Sequence, residues 1–185
     1  MEYRELPGLT PDGRMYRNVE MGTIEAMIHP GSYSTAHAPA LLKLDNGDML
    51  CAWFAGSFEG SADISIVCAR LPKDADYWEA PVKVSGDPER SEQNPSLFIG
   101  PDHKIWCIYT AQLDRMEGKD NMQFTSIIRC QKSGDGGKTW EKPEVLFDRE
   151  GSFCRQPIQV LENGRWIFGN WQCTDSELGL TGDPT

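Results

Sequence analysis

The strongest structural signal in this sequence is the octapeptide Ser133-Gly134-Asp135-Gly136-Gly137-Lys138-Thr139-Trp140. The Asp135 carboxylate can accept hydrogen bonds from backbone N–H groups of its own turn. Gly136 and Gly137 permit the positive φ angles that a tight turn requires. Trp140 provides a large apolar anchor next to the strand that follows. The octapeptide therefore predicts a hairpin turn between two outer strands of a β-sheet.

A repeat around three prolines organises the chain. Pro39, Pro95 and Pro157 lie about 60 residues apart, a spacing typical of propeller and solenoid repeats. Each proline stands near the start of an apolar stretch, which is followed by a turn rich in Gly, Asn or Asp and by a second apolar stretch. This order is typical of two antiparallel strands joined by a hairpin. Each repeat therefore begins with a predicted β-hairpin.

The first two repeats also share a second half. Residues 64–68 resemble residues 126–130, and a Trp-Glu-x-Pro sequence follows each of them, at Trp78 and at Trp140. The turn before Trp78 is a degenerate copy of the octapeptide, because Lys73 stands where the aspartate is expected. Four-stranded repeats of this length are typical of propeller blades. We therefore predict an all-β fold, a β-propeller of four-stranded antiparallel blades, with about two and a half to three blades in this chain.

The repeat boundaries divide the chain into a short leading segment and a partial propeller. Residues 1-30 are predicted to form an N-terminal lead-in segment, and residues 31-185 the partial propeller. Within it, blade 1 spans about 36-86, blade 2 about 92-148, and an incomplete blade 3 begins at about 153 and is expected to stop after its second strand. Open blade edges favour either further blades or self-association with another copy.

Composition and charge exclude several classes of partner. The formal net charge of -10 argues against nucleic acid or an anionic membrane surface as the main partner, and no apolar run reaches the length of about 20 residues that a membrane span needs. Six cysteines occur without a Cys-x-x-Cys pair, which predicts buried free thiols rather than a metal site. We expect no metal and no cofactor. Localisation stays open, because no signal peptide is recognisable while free thiols favour the cytoplasm.

Polar residues next to the three prolines are the first candidates for a functional site. In a propeller blade the first strand is innermost, and its start lies beside the central channel. This position is occupied by His37, Gln93, Asn94, Arg155 and Gln156, which we expect to converge on a central funnel. Arg155 can bind a carboxylate through two hydrogen bonds, and His37 can act as an acid or base near neutral pH. The alternative is that these side chains hydrogen-bond neighbouring blades.

Acidic loops and aromatic strand ends supply further candidates. The loop between the second and third strands of blade 1 contains Glu59 and Asp63, which we predict as catalytic carboxylates, although Asp63 can equally cap its turn. Tyr109 and Trp171 are placed at the ends of second strands near the funnel, where an aromatic ring suits sugar binding. The long blade 2 loop, residues 112–124, is either functional or a solvated surface. The octapeptide turn belongs to the opposite face of the blade.

From about His37 onward, the chain resembles the sialidase-like proteins that contain BNR repeats, in which the octapeptide motif is known as the Asp box. The further matching stretches are His37-Ala38-Pro39-Ala40-Leu41-Leu42, Ala52-Trp53-Phe54-Ala55-Gly56, Gln93-Asn94-Pro95, and Arg155-Gln156-Pro157 with Leu161-Glu162-Asn163-Gly164. The resemblance implies a ring of about six or seven blades and an activity on sugars, often acidic ones. In sialidases of this kind three arginines bind the substrate carboxylate, a Tyr/Glu pair is the nucleophile and an aspartate is the acid.

The resemblance leaves three functions open, and in each the partner is a glycan or a small sugar. The first is a glycoside hydrolase acting on an acidic or sialic-acid-like glycan, with Glu59 or Asp63 as the acid and Arg155 as the anion binder. Exo-sialidase activity is disfavoured, because His37 stands where the first arginine is expected. The second is a polysaccharide lyase on a uronic-acid-containing glycan with His37 as the base, although Phe58 stands where related lyases carry a second histidine. The third is a non-catalytic propeller that binds glycans, and an enzyme is favoured over it.

Overall fold

Nearly all of the regular structure in the chain is β-strand. The computed structural model describes residues 4–5, 10–28, 33–117, 122–175 and 181–184. In these residues the helical structure consists of one 3₁₀ turn, Gln123–Thr125. No helix in that part of the chain is long and apolar enough to cross a membrane. The predicted all-β fold is therefore confirmed.

The residues before the repeats form a small sheet. Its strands are β1 (Arg4–Glu5), β2 (Met15–Asn18) and β3 (Thr23–Ala26), with β2 in the centre, parallel to β1 and antiparallel to β3. Two main-chain hydrogen bonds of 2.8 Å attach this sheet to the first repeat. The Trp78 N–H donates to the Gly13 carbonyl, and the Met15 N–H donates to the Asp76 carbonyl. The leading segment is thus fastened to the turn before Trp78.

Two complete four-stranded sheets follow, which we call the first unit (residues 35–83) and the second unit (residues 90–147). The first contains β4 (Thr35–Lys43), β5 (Met49–Gly56), β6 (Ser65–Leu71) and β7 (Val82–Lys83). The second contains β8 (Arg90–Ile99), β9 (Ile105–Leu113), β10 (Ile127–Ser133) and β11 (Glu144–Phe147). In each unit the strands pair antiparallel in chain order. The predicted four-stranded antiparallel sheets are confirmed.

The third unit (residues 152–184) is interrupted along its strands. Its first strand consists of β12 (Ser152–Cys154) and β13 (Gln159–Val160), and its second of β14 (Trp166–Ile167) and β15 (Asn170–Thr174). A third strand, β16 (Thr181–Pro184), pairs antiparallel with β15. The prediction that this unit stops after its second strand is therefore wrong. The sequence Thr-Gly-Asp-Pro lacks the apolar alternation by which a strand is recognised.

The apolar core lies between the units. Leu50 and Phe54 of the first unit are buried in one cluster with Leu97 of the second. A second cluster contains Ile108 of the second unit and Ile158 of the third. Burial of one such side chain stabilises a fold by about 1.5–3 kcal/mol. The stacking of units against each other, rather than any single sheet, therefore holds the structure together.

An ion-pair cluster joins the second unit to the connection that precedes it. Arg129 of β10 lies 2.7 Å from the Asp87 carboxylate and 3.4 Å from that of Glu92. The Glu92 side chain is 1% exposed, and its burial raises its pKa. Arg129 compensates a carboxylate charge that burial would otherwise penalise, and it joins β8 and β10 to the connection between the two units.

All six cysteines are free thiols in buried positions, as the sequence predicts. Burial raises the pKa of Cys51 to about 11 and that of Cys154 to about 12, so these thiols stay protonated near neutral pH. In the part of the chain that the structure describes, no group of three or more His, Cys, Asp or Glu side chains could hold a metal ion. The cysteines act as small core side chains.

The octapeptide forms the turn between β10 and β11, and Asp135 holds it together. Its Oδ1 accepts the N–H groups of Lys138 at 3.0 Å and Thr139 at 2.9 Å, and its Oδ2 accepts the Thr139 hydroxyl at 2.6 Å. The Ser133 hydroxyl donates to Asp135 at 2.8 Å and accepts the Gly137 N–H at 2.9 Å. These bonds lower the pKa of Asp135 to about 2, and the two from Thr139 have the largest effect. Gly137 has the predicted positive φ, 85°.

The corresponding turn of the first unit obtains its carboxylate from another element. Lys73 stands in the aspartate position, and its N–H donates to the Asp48 carboxylate at 2.7 Å. Asp48 belongs to the β4–β5 hairpin and also forms an ion pair with Arg70. The hydrogen bond from Lys73 is the main reason why the pKa of Asp48 is lowered. A carboxylate of the neighbouring hairpin thus binds this turn, but through the N–H of residue 73 itself, whereas Asp135 binds the N–H groups three and four residues after its own position.

We expect Asp135→Asn to lower the free energy of unfolding by about 1 kcal/mol at neutral pH, because a hydrogen-bonded charge is lost from a turn exposed to solvent. The folded-state pKa of about 2 lies below the ordinary value of 3.8. The stabilisation is therefore fully present above about pH 4 and is lost as the pH falls toward the folded-state pKa. Urea denaturation of both proteins at several pH values measures this difference.

The matched control is Asp45→Asn, which removes an exposed carboxylate from the β4–β5 hairpin. It should change the free energy of unfolding by less than about 0.5 kcal/mol. An Asp135→Asn penalty of the same size at every pH would contradict the role of the charge.

Candidate functional site

A bulge interrupts the first strand of the first and second units at the same place. The pairing of β4 with β5 shifts by one residue between His37 and Ala40. The pairing of β8 with β9 shifts by one residue between Gln93 and Ser96. A proline lies inside each bulge, where its missing N–H is tolerated because the ladder is locally open. The proline repeat therefore marks a repeated irregularity of the sheet.

The residue before each of these prolines has an unusual backbone conformation. Ala38 has a φ of 52° and Asn94 a φ of 51°, and such a left-handed conformation costs a residue other than glycine about 1–2 kcal/mol. In the third unit the first strand breaks completely between β12 and β13, where Arg155 and Gln156 lie. A bulge or break re-aims the side chains beside it. In all three units, the side chains beside the proline therefore point away from the regular sheet, at equivalent positions of the repeat.

These positions surround a cleft of about 210 Å³, which we call the polar cleft. Its lining residues are His37, Ala38, Phe54, Glu59, Asn94, Gln123, Phe153, Arg155 and Trp171. A second hollow of about 320 Å³ shares Ala38, Asn94 and Arg155 with the polar cleft and is also lined by Gln156. Five of the predicted residues, His37, Glu59, Asn94, Arg155 and Trp171, are therefore brought together, and Gln156 lies beside them.

The imidazole of His37 stacks on a buried aromatic ring. Its ring centroid lies 5.5 Å from that of Phe54, and the two planes differ by 7°. Phe54 is 1% exposed and belongs to the core between the first and second units. Since His37 itself is exposed, one face of its ring is supported while its edge stays accessible from the cleft.

The two predicted carboxylates on the β5–β6 loop have different surroundings. The Asp63 carboxylate accepts the N–H of Ser57 at 2.9 Å and its hydroxyl at 2.8 Å. Hydrogen bonds from Ser61 and from Ser57 lower the pKa of Asp63, which disfavours a role as a proton donor. Glu59 is exposed and lines the polar cleft. Of the two, the geometry favours Glu59 as the reactive group and Asp63 as a support of the loop.

Two predicted substrate-binding residues lie away from the cleft. The side chain of Tyr109 is fully buried, its hydroxyl donates to Gln131 at 2.8 Å, and burial raises its pKa. Gln93 is also buried, and its amide donates to the Ser91 hydroxyl at 2.9 Å. The prediction fails for Tyr109 because β9 continues to Leu113, so that the ring lies in mid-strand rather than at the strand end.

An aromatic wall closes the third-unit side of the cleft. Phe153 and Trp171 are partners across β12 and β15, with ring centroids 4.8 Å apart. Trp171 lies as many residues after Pro157 as Tyr109 lies after Pro95. Tyr109 faces the bulge of β8, whereas the pairing of the third unit places Trp171 opposite Phe153. Phe54 and Phe153, together with Gln123 of the 3₁₀ turn, were not predicted. Their only sequence signal is their proximity to the repeat prolines and to the long loop.

The polar cleft offers three kinds of chemistry in one opening. Arg155 supplies a permanent cation suited to a carboxylate. Glu59 and His37 are groups that can exchange protons. Trp171 and Phe153 supply an apolar surface of the kind that binds the face of a sugar ring. The cleft therefore combines an anion site, proton-transfer groups and an aromatic platform.

The sequence profile of the BNR repeat-like domain matches residues 47–180, well over half of the chain. No curated protein matches the chain. Solved structures that share its fold include one protein of unknown function and two sialidases. A Dyadobacter fermentans protein of unknown function has a TM-score of 0.61 at 19% identity over 80% of this chain and 50% of its own.

The other two structures are sialidases. The Hadza microbial sialidase Hz136 has a TM-score of 0.63 at 13% identity, over 82% of this chain and 36% of its own. The NanB sialidase of Streptococcus pneumoniae has a TM-score of 0.60 at 11% identity, over 90% of this chain and 47% of its own. At such identities the likeness is one of fold alone. This chain spans half or less of the length of each of the three structures.

We expect Ala38→Gly to raise the free energy of unfolding by about 0.5–1 kcal/mol, because relief of the left-handed strain exceeds the entropic cost of glycine. The matched control is Ala36→Gly at an extended position of the same strand, which should lower stability by about 0.5–1 kcal/mol. Chemical denaturation measures both. Equal losses in the two variants would show that the bulge imposes no strain.

Proposed function

This chain belongs to the BNR repeat-like family, and we propose that the protein is a carbohydrate-active enzyme, a glycoside hydrolase acting on an acidic or sialic-acid-like glycan. The observation that carries the proposal is the presence of Glu59, His37 and Arg155 around one cleft of about 210 Å³. The chain forms part of a sialidase-like propeller of about six or seven blades, and further blades complete the ring around this cleft.

Each lining group has a role in this proposal. The Arg155 guanidinium binds the substrate carboxylate with two parallel hydrogen bonds. The Phe153 and Trp171 wall supports the apolar face of the sugar ring. Glu59 donates a proton to the leaving-group oxygen as the glycosidic C–O bond breaks, and a general acid contributes about 10²–10⁴-fold to the rate of such a step. Water then adds to the anomeric carbon and returns a proton to the Glu59 carboxylate. Asn94 hydrogen-bonds the sugar hydroxyls, since its amide can both donate and accept.

The fold and one residue limit the kind of hydrolase. Two structures that share the fold are sialidases, which supports a glycan as the substrate class. His37 occupies the position at which the resemblance expects the first carboxylate-binding arginine. A neutral imidazole cannot replace the paired N–H groups of a guanidinium. We therefore infer a specificity different from that of an exo-sialidase.

The second candidate is a lyase, and the position of His37 favours it. The accessible edge of the imidazole shares a cleft with Arg155. In a lyase, His37 removes the proton α to a uronate carboxylate while Arg155 neutralises that group. The elimination leaves a carbon–carbon double bond in the product, whereas hydrolysis adds water and leaves none. The products therefore separate the two candidates.

We expect Glu59→Gln to reduce glycan turnover by about 10²–10⁴-fold, because the general acid is removed while shape and hydrogen bonding are nearly kept. Release of reducing sugar from a panel of acidic glycans measures the rate. Asp63→Asn is the matched control on the same loop, and it should reduce turnover by less than about tenfold. Equal losses in both variants would contradict the assignment of Glu59 as the acid.

His37→Ala distinguishes the hydrolase from the lyase. For a hydrolase we expect a saturated product from the wild-type protein and mainly a rise in KM in the variant, because His37 only contacts substrate. For a lyase we expect an unsaturated uronate, which absorbs ultraviolet light, and loss of that product in the variant. Glycan binding without turnover in the wild-type protein would instead identify a non-catalytic binding propeller.

A further inference from the structure

The loop that carries Glu59 is held by residues of the neighbouring unit. The loop joins β5 to β6 in the first unit, whereas Asp114 and Arg115 begin the β9–β10 connection of the second. The Arg115 Nη2 donates to the Glu59 carbonyl at 2.8 Å, and the guanidinium carbon lies 4.9 Å from the centre of the Phe58 ring. The Asp114 carboxylate accepts the Ala62 N–H at 3.0 Å. Three contacts therefore cross from one unit to the other.

The conformation of the loop fits this contact closely. Gly60 has a φ of 92°, and the Arg115 Nε lies 3.1 Å from the place where a Cβ at that position would be. At its base the loop is held within the first unit, because Asp63 accepts two hydrogen bonds from Ser57 and the Thr35 hydroxyl donates to the Ser57 carbonyl at 3.1 Å. The base also receives one main-chain bond from the second unit, since the Glu92 N–H donates to the Ile64 carbonyl at 3.1 Å, whereas the tip is held by the side chains of Asp114 and Arg115.

We propose that Arg115 is a positioning residue that sets the place of Glu59 in the polar cleft. The inference rests on the proposed function, in which Glu59 is the acid. The bonds at the base of the loop, including that from Glu92 to Ile64, lie several residues from Glu59, so they leave the position of the tip relative to Asn94 to the contacts of Asp114 and Arg115. Arg115 belongs to the same unit as Asn94. Its bond to the Glu59 carbonyl therefore holds Glu59 at a fixed position relative to Asn94.

The chemistry of Arg115 suits this role better than that of a neutral residue. A charged donor makes a stronger hydrogen bond to a carbonyl than a neutral donor does. The planar guanidinium can stack on Phe58 while one of its N–H groups is engaged. Phe58 stands at the position where related lyases carry a second histidine. In this chain its ring is the surface on which the Arg115 guanidinium stacks.

Hydrogen exchange of residues 57–63 tests the positioning directly, without any substrate. We expect the backbone amides of this segment to exchange about tenfold faster in Arg115→Ala, because a charged hydrogen bond that holds the loop closed is lost. Arg115→Lys should keep part of the protection, since it retains a charged donor near Phe58. The control is Arg165→Ala, which removes an exposed arginine from the β13–β14 turn and should leave this segment unchanged.

Steady-state kinetics test the link to Glu59. We expect Arg115→Ala to lower kcat by about tenfold with little change in KM, and to cause no further loss in a Glu59→Gln background, because both changes remove the same contribution. An equal loss in both backgrounds, or a rise in KM in both, would overturn the positioning role, the latter by showing that Arg115 touches the substrate. Thermal unfolding of each variant establishes that the fold is retained.

The two inferences fail in different ways. Unchanged exchange of residues 57–63 in Arg115→Ala overturns the positioning of the loop, whatever the enzyme does. Faster exchange of residues 57–63 in Arg115→Ala, combined with full activity of Glu59→Gln, supports the contact between Arg115 and the loop. It contradicts the role of Glu59 as the acid, and therefore any catalytic role of Arg115.

Discussion

A proline inside the first strand of each unit is the constraint on which the candidate site depends. Proline offers no N–H to the ladder, so the first strands of the first and second units bulge at Pro39 and Pro95, and that of the third breaks around Pro157. Each irregularity turns residues out of its sheet. The apolar stacking of the units then brings these residues to one cleft. The site is therefore a product of the repeat, and each unit supplies one side of it.

The features that the sequence predicts correctly are those set by interactions between residues close together in the chain. The bonds of Asp135 all fall within its own turn, and the prolines mark the neighbourhood of His37 and Arg155 without any knowledge of pairing. The predicted place of Tyr109 at a strand end is wrong, because the end of β9 depends on its pairing with neighbouring strands. Trp171 differs from it only through the register of the third unit, which no local pattern encodes.

The charge of the chain and the charge of the cleft have different physical roles. A net charge of -10 repels an acidic glycan at long range, and salt screens that repulsion beyond about 10 Å. Arg155 acts at contact distance, where directed hydrogen bonds to a carboxylate dominate. In the proposed function, recognition of an acidic ligand therefore depends on the geometry of the cleft rather than on electrostatic steering.

The carboxylate of Asp48 has a consequence for how such repeats are counted. It comes from a hairpin some distance along the chain and binds the turn in which Lys73 has replaced the aspartate. A search for the octapeptide finds one copy where the fold has two complete sheets. In this chain, copies of the motif therefore give a lower bound on the number of four-stranded sheets.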